Sequence, residues 1–181
     1  SFALKLRHHN EALHMRHAPS EPSARACYDA IEAVRYEALG SKNYAGIRGN
    51  LDAAMEVRMG SDPITRAANP DDVPVQAALS LLLREALTGQ PVPEAARPGV
   101  EMLRPWIEDK AGADFEALAL SIDDQKSFQS LALDMLCHLE LTQVEPPQDQ
   151  SEENDEGGEE ETEEHADGGD AGEDQQRSEM A

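Results

Sequence analysis

The amino-acid sequence predicts an all-α fold, a bundle of about six or seven helices followed by a disordered acidic tail. Three observations lead there. Up to Gln143, apolar residues recur three and four positions apart, and Gly, Pro and Asn-Pro steps separate the runs. No alternating apolar stretch in that body is long enough for a strand. From Val144 to Ala181 the text turns almost purely acidic. This stretch holds 16 of the chain's 37 Asp and Glu and one of its 15 Lys and Arg, Arg177, so it carries −15 and residues 1–143 carry −7 of the total −22.

The elements follow in order. Phe2–Arg16 is histidine-rich and reads as a polar helix face or an irregular lead-in. Ser20 is placed to cap the first long helix, with Pro22 in its opening turn, where a missing N–H costs nothing. Ala24, Cys27, Tyr28, Ile31, Val34 and Ala38 make its apolar stripe, and Gly40 is expected to end it. Asn43 starts a second helix with Ile47, Leu51, Ala54 and Met55 on its inner side, stopping near Gly60. Asn69-Pro70-Asp71-Asp72 reads as a turn with capping carboxylates.

The cleanest amphipathic pattern comes next, on Val75, Ala78, Leu79, Leu82, Leu83, Ala86 and Leu87. Thr88-Gly89-Gln90-Pro91 closes it, with Gly as the left-handed residue and Pro as the block to continuation. Val100, Leu103 and Ile107 make a shorter helix carrying Trp106, kinked or restarted by Pro105 and ended near Gly112. Phe115, Leu118 and Ile122 form a separate segment. The last helix runs from about Asp123, with Phe128, Leu131, Ala132, Met135, Leu136 and Leu139 facing inward.

A body of this length suits one domain, able to bury roughly 68–70% of its unfolded surface. The tail has almost no large apolar residues, and its like charges repel, so nothing offsets the entropy lost on ordering it. No apolar run is long enough to span a bilayer, and Ser1–Pro19 lacks the apolar stretch of a signal peptide. The chain begins without an initiator Met and ends inside low-complexity text, so it is expected to be a piece of a longer protein. Cys27 and Cys137 each fall on an apolar helical face, where a thiol behaves as a small hydrophobe; this fits a reducing cytoplasm. A chain of −22 without a basic, aromatic-interleaved stripe is not expected to bind nucleic acid.

Motifs of chemistry are absent from the sequence. There is no GxxxxGK[ST] phosphate loop, DxSxS metal-adhesion pattern, CxxC pair, HExxH helix or G-x-S-x-G elbow, so no catalytic or cofactor-binding residue is assigned. Two groups of residues remain as candidates. His9, His14 and His17 lie close together in a histidine-rich lead-in that also holds His8, and His14 and His17 share a face if that segment is helical; imidazoles so spaced can ligate a transition metal. Arg104, Trp106 and Lys110 lie in the segment with the chain's one tryptophan. Trp and Arg are favoured interface anchors, while the plainer reading of Trp106 is core. The acidic run reads first as a flexible spacer, its glycines Gly157, Gly158, Gly168, Gly169 and Gly172 keeping it pliable, and otherwise as a weak cation reservoir or a decoy for a basic partner.

Three blocks carry a resemblance: Tyr28–Ser41 (YDAIEAVRYEALGS), Leu79–Gly89 (LSLLLREALTG) and Leu103–Lys110 (LRPWIEDK). In this order, ahead of a long Glu/Asp/Gly tract, they resemble the CobT-type subunit of the aerobic cobaltochelatase of cobalamin biosynthesis, across essentially the whole body. The resemblance implies an ATP-dependent, hetero-oligomeric ring complex inserting Co²⁺ into hydrogenobyrinic acid a,c-diamide. It further implies a large subunit carrying the tetrapyrrole site, and a AAA+ ATPase subunit to which this chain docks. ATP, Mg²⁺ and Co²⁺ would be used by the complex, with none bound by this chain. The family's C-terminal von Willebrand A-like domain follows the acidic tract; its metal-adhesion residues have no matching positions here.

Residues 1–143 are therefore expected to act as the docking module, without a catalytic site, and residues 144–181 as a tether. At 5–6 Å × √n, 38 flexible residues span about 30–37 Å before self-repulsion extends them. The alternative from another class is an acidic chaperone-like protein that shields a basic partner. A weaker third reading feeds cobalt through the N-terminal histidines.

Overall fold

A computed structural model describes residues 1–143 of the chain. Among them seven α-helices and three short 3-10 turns occur, and no strand. The helices are α1 (Phe2–His8), α2 (Glu11–Arg16), α3 (Pro22–Asn43), α4 (Ala45–Met59), α5 (Val75–Thr88), α6 (Arg97–Leu120) and α7 (Gln125–His138). Turns at Pro63–Arg66, Pro70–Asp72 and Glu94–Ala96 shape the connections around α5. The all-α expectation holds for this body; the expected disorder of 144–181 lies outside the described residues.

The core is built where the apolar stripes of α3, α5, α6 and α7 meet. Tyr28, Ile31, Leu79, Leu83, Ile107, Leu118, Phe128, Leu133 and Leu136 are all fully buried, each large aliphatic or aromatic contributing about 1.5–3 kcal/mol. Ile64, on the first turn, is also fully buried and packs against the start of α6 so closely that Gly99 has no room for a side chain: a Cβ there would lie 2.7 Å from both Ile64 Cγ1 and its carbonyl oxygen. Asn69 and Asp72 form a reciprocal capping box, as the turn sequence predicts. Gly89 takes φ 71°, the left-handed residue that ends α5.

Several boundaries differ from the sequence reading. α3 does begin at Pro22, but its N-cap is Glu21 without a side-chain bond, and Ser20 lies outside. Gly40 does not stop the helix. It is buried inside α3, where α1 lays Leu4 against it, a Cβ at that point running into the Leu4 side chain. The helix runs on to Asn43, and Tyr44 rather than Asn43 stands at the head of α4. The expected stripe on α4 is thin: of its residues Met55 and Met59 are buried and Ala54 is exposed. Ala86 on α5 is exposed as well.

The two segments expected around Gly112 are one helix, α6, with Pro105 in its interior. The reason is geometric. Pro105 and Glu101, the residue whose carbonyl loses its helical donor, both lie on the exposed face, where water satisfies that oxygen while Leu103 and Ile107 stay buried on the other side. The N-terminal stretch is broken in the opposite sense: Phe2–Arg16 is two short helices, because the Asn10 side chain accepts the Leu13 N–H at 3.0 Å and restarts the chain as α2.

Candidate functional site

Helix α6 carries the candidate partner-binding residues. Arg104 is fixed by three carboxylates: Nε donates to Glu101 Oε1 at 2.9 Å, Nη1 to Glu108 Oε1 at 3.2 Å, and Nη2 to Glu85 Oε2 of α5 at 3.2 Å. Its guanidinium therefore ties α6 to α5, and with three carboxylates to one cation the cluster keeps a net negative charge. Trp106, two residues on and so about 200° round the helix from Arg104, has 36% of its surface exposed, so the core reading of this residue is not what the structure shows. A half-wet indole on a rigid helix has the form of an interface anchor. Lys110 reaches Glu140 at 3.5 Å in an exposed pair, which contributes little to stability and leaves its charge accessible.

The histidines occupy a different place, a polar seam between the N-terminal arm and α3 and α7. His9 Nδ1 lies 2.8 Å from Glu32 Oε1, and Nε2 lies 3.1 Å from Glu11 Oε2. His14 stacks on the Tyr28 ring at 4.5 Å between centroids, with Nε2 2.7 Å from Asp29 Oδ1 and Nδ1 3.2 Å from Gln129 Nε2. The two imidazoles meet edge to face at 4.9 Å. Burial pushes the His14 pKa below the ordinary histidine value, against the opposing pull of Asp29. His17 follows α2 as its C-cap residue, half-buried, and does not join them. Among the described residues, no group of three or more His, Cys, Asp or Glu is arranged to hold a metal ion.

At the centre of the seam is a residue that the sequence did not single out. Arg35 is fully buried, and its Nε and Nη2 donate to Glu32 at 2.9 and 2.8 Å. Nη1 donates to the Ile122 carbonyl at 3.1 Å, Nη2 also donates to the His8 carbonyl, and the guanidinium lies over the Phe128 ring at 5.9 Å. One side chain thus links the end of α1, α3 and the α6–α7 connection. Gln125 extends the seam by accepting the Asn10 N–H at 2.7 Å and donating to the Asn10 carbonyl at 3.0 Å. The available signal was a pair of opposite charges three apart, Glu32 and Arg35, flanking the apolar stripe of α3. Nothing in the sequence marked the two glutamines.

Cys27 is buried, and burial pushes its thiol up to about 11; Cys27 and Cys137 form no disulfide. The polar seam is structural in form: the buried side chains of His9, His14, Glu32 and Arg35 are paired, partly with Glu11 and Asp29 at its solvent-facing rim, while Gln129 Oε1 is buried without a partner. The α6 face, by contrast, turns both an aromatic, Trp106, and a cation, Lys110, outward. No solved structure matches the chain. Among protein families, the model of cobalamin biosynthesis protein CobT matches residues 1–181, the whole length given. The chain belongs to the CobT family of cobalamin biosynthesis proteins.

Proposed function

We propose that this chain works as an interaction-bearing part of a cobaltochelatase, with residues 1–143 docking on a AAA+ ATPase subunit through the exposed face of α6. The observation that carries this reading is the family match over the whole chain, which makes it a cobalamin-biosynthesis protein and points to a chelatase subunit. The α6 face supports the docking role. Trp106 is exposed on a helix that the Arg104 carboxylate cluster ties to α5, so the aromatic is presented from backbone that is already ordered before binding. In this reading the AAA+ subunit uses ATP and Mg²⁺, Co²⁺ is the substrate, and a large subunit holds the tetrapyrrole within a hetero-oligomeric ring complex. The acidic run of −15 serves as a tether, raising the effective concentration of whatever it carries near the complex.

The test is association of the full chain with the AAA+ subunit, with and without Mg-ATP, read as complex mass by light scattering. A complex of discrete mass, weakened roughly tenfold or more by Trp106→Ala, is the expected result. A complex that Trp106→Ala leaves unchanged removes α6 as the docking face, and no complex in either nucleotide state removes the docking role.

A further inference from the structure

Among the described residues, Lys5, Arg25, Arg35, Arg84, Arg104 and Lys110 are paired with carboxylates, whereas Arg7, Lys42 and Arg48, gathered in one corner, are among the cations that are not. Residues 1–10 and 38–51 contain no Asp or Glu, in a chain that has 37 of them. The fold brings these two acid-free stretches together. Leu4 of α1 lies against Gly40 of α3, and the Arg7 guanidinium stands over the Tyr44 ring at 5.4 Å. Lys42 and Arg48 line one cleft of about 270 Å³ whose floor includes Leu87, Ala119 and Ile122. Both are exposed, and no ion pair is formed by Lys42 or Arg48 among the described residues. Beside this corner α1 turns its apolar residues outward: Phe2 and Leu6, one helical turn apart, are 75% and 70% exposed, whereas Leu4 between them is buried. A short helix that buries one leucine and presents a phenylalanine and a leucine to water has an uncovered apolar face.

We propose that this corner, where α1 meets the end of α3 and the start of α4, is a second docking surface, and that it takes an acidic segment of a partner protein carrying apolar anchors. The chemistry is complementary in both respects. Carboxylates of such a segment meet Arg7, Lys42 and Arg48, while its apolar side chains cover Phe2 and Leu6 or enter the cleft over Leu87 and Ile122. Screening favours a peptide over an extended polyanion. At physiological ionic strength a charge acts over about 8 Å, so a short segment feels the local cations. A membrane or a duplex would also face the acid-rich remainder of a −22 chain.

The test uses the full chain and a fluorescein-labelled peptide that alternates Glu-Asp pairs with Leu and Phe, followed by fluorescence anisotropy. Saturable binding is expected. It should weaken about tenfold in the Lys42→Glu/Arg48→Glu variant, and by a similar factor in Phe2→Ser/Leu6→Ser. A peptide with Gln and Asn in place of Glu and Asp should not bind. Arg66→Glu, on the Pro63–Arg66 turn, is an exposed cation elsewhere and should leave affinity unchanged. The acidic run 144–181 is present in every arm, so differences between variants are read at constant tail charge. All substituted side chains are exposed, and matching thermal melts by circular dichroism confirm the fold. Affinity that ignores the Lys42/Arg48 pair, an equal loss with Arg66→Glu, or capture on phosphatidylserine vesicles without peptide binding each overturns the proposal.

Discussion

Arg35 concentrates the body's long-range polar bonding in one side chain. Its charge is balanced by Glu32 and its remaining donors are taken by the carbonyls of His8 and Ile122. Such a pair adds little net stability over well-packed apolar residues, but removing one member strands the other. Arg35→Met should therefore lower unfolding free energy by about 3–5 kcal/mol in denaturant titrations, and Glu32→Leu/Arg35→Leu should cost less than the single change. A double variant worse than the single would mean that the seam stabilises outright. His14 supplies a pH dependence. Its pKa is lowered, first by burial, so the folded protein takes up its proton less readily than the unfolded chain. His14 therefore contributes fully above its unfolded pKa near 6.5, and that contribution is lost as pH falls from there through the folded value. His8 is shifted the same way, by burial and then by Arg7 and Arg35. His138 runs opposite: hydrogen bonding to Asp114 raises its pKa, so its contribution fades as pH rises through the folded value. Thermal melts across mildly acid pH should show a loss of stability on acidification that His14→Gln reduces and His138→Gln increases. A His14→Gln profile parallel to the parent's would rule His14 out as its source.

At the scale of elements, glycine shows how far local signals reach. The sequence marks Gly40, Gly89 and Gly112 alike as helix stops. Gly89 takes the left-handed conformation and ends α5; Gly40 is needed because Leu4 occupies its side-chain space; Gly112 has nothing within 4 Å and interrupts nothing. Only a neighbour distant in sequence separates these cases. The paired substitutions follow. Gly99→Ala drives a methyl into the Ile64 carbonyl and should cost about 1–3 kcal/mol, while Gly112→Ala should stabilise α6 by roughly 0.5–1 kcal/mol through lower chain entropy. Equal effects in calorimetry would remove this distinction. The helices that were legible, α3, α5 and α7, are those whose stripes face the common core. α4 was read too strongly, since clefts lined by Arg48, Leu51, Met55 and Met59 border it and only the two methionines are buried. Amide exchange should accordingly be faster in α4 than in α5. The α6 candidates were legible because the chain has one tryptophan, and it lies near an arginine in a short charged segment. The seam was not, because Gln125 and Gln129 acquire their roles only when α7 is laid beside the arm.

For the molecule as a whole, charge separates two readings of the same chain. As a tether, the acidic run contributes reach, and recognition belongs to the body. As a chaperone-like shield, it contributes the recognition itself, through long-range attraction for a basic partner. The body has the means to fold without the run. Its core closes within residues 1–143, α7 packs into it through Phe128, Leu133 and Leu136, and the chain leaves past Thr142, whose hydroxyl is 3.3 Å from Glu21 at the head of α3. Deleting 144–181 removes −15 of the −22 and keeps every buried core residue of the described body. The truncated chain should keep its helical content and melt within about 2–4 °C of the parent, a shift worth no more than about 1 kcal/mol for a domain of this size. Its association with the AAA+ subunit should persist, with modest salt dependence, because an anchored aromatic face is little affected by screening. The shield reading requires the reverse: binding that collapses on truncation and that, in the intact chain, falls steeply as salt is raised. Light scattering of parent and truncated chain across a salt series decides between them, since deletion and screening act together on an electrostatic contact and separately on a tethered one.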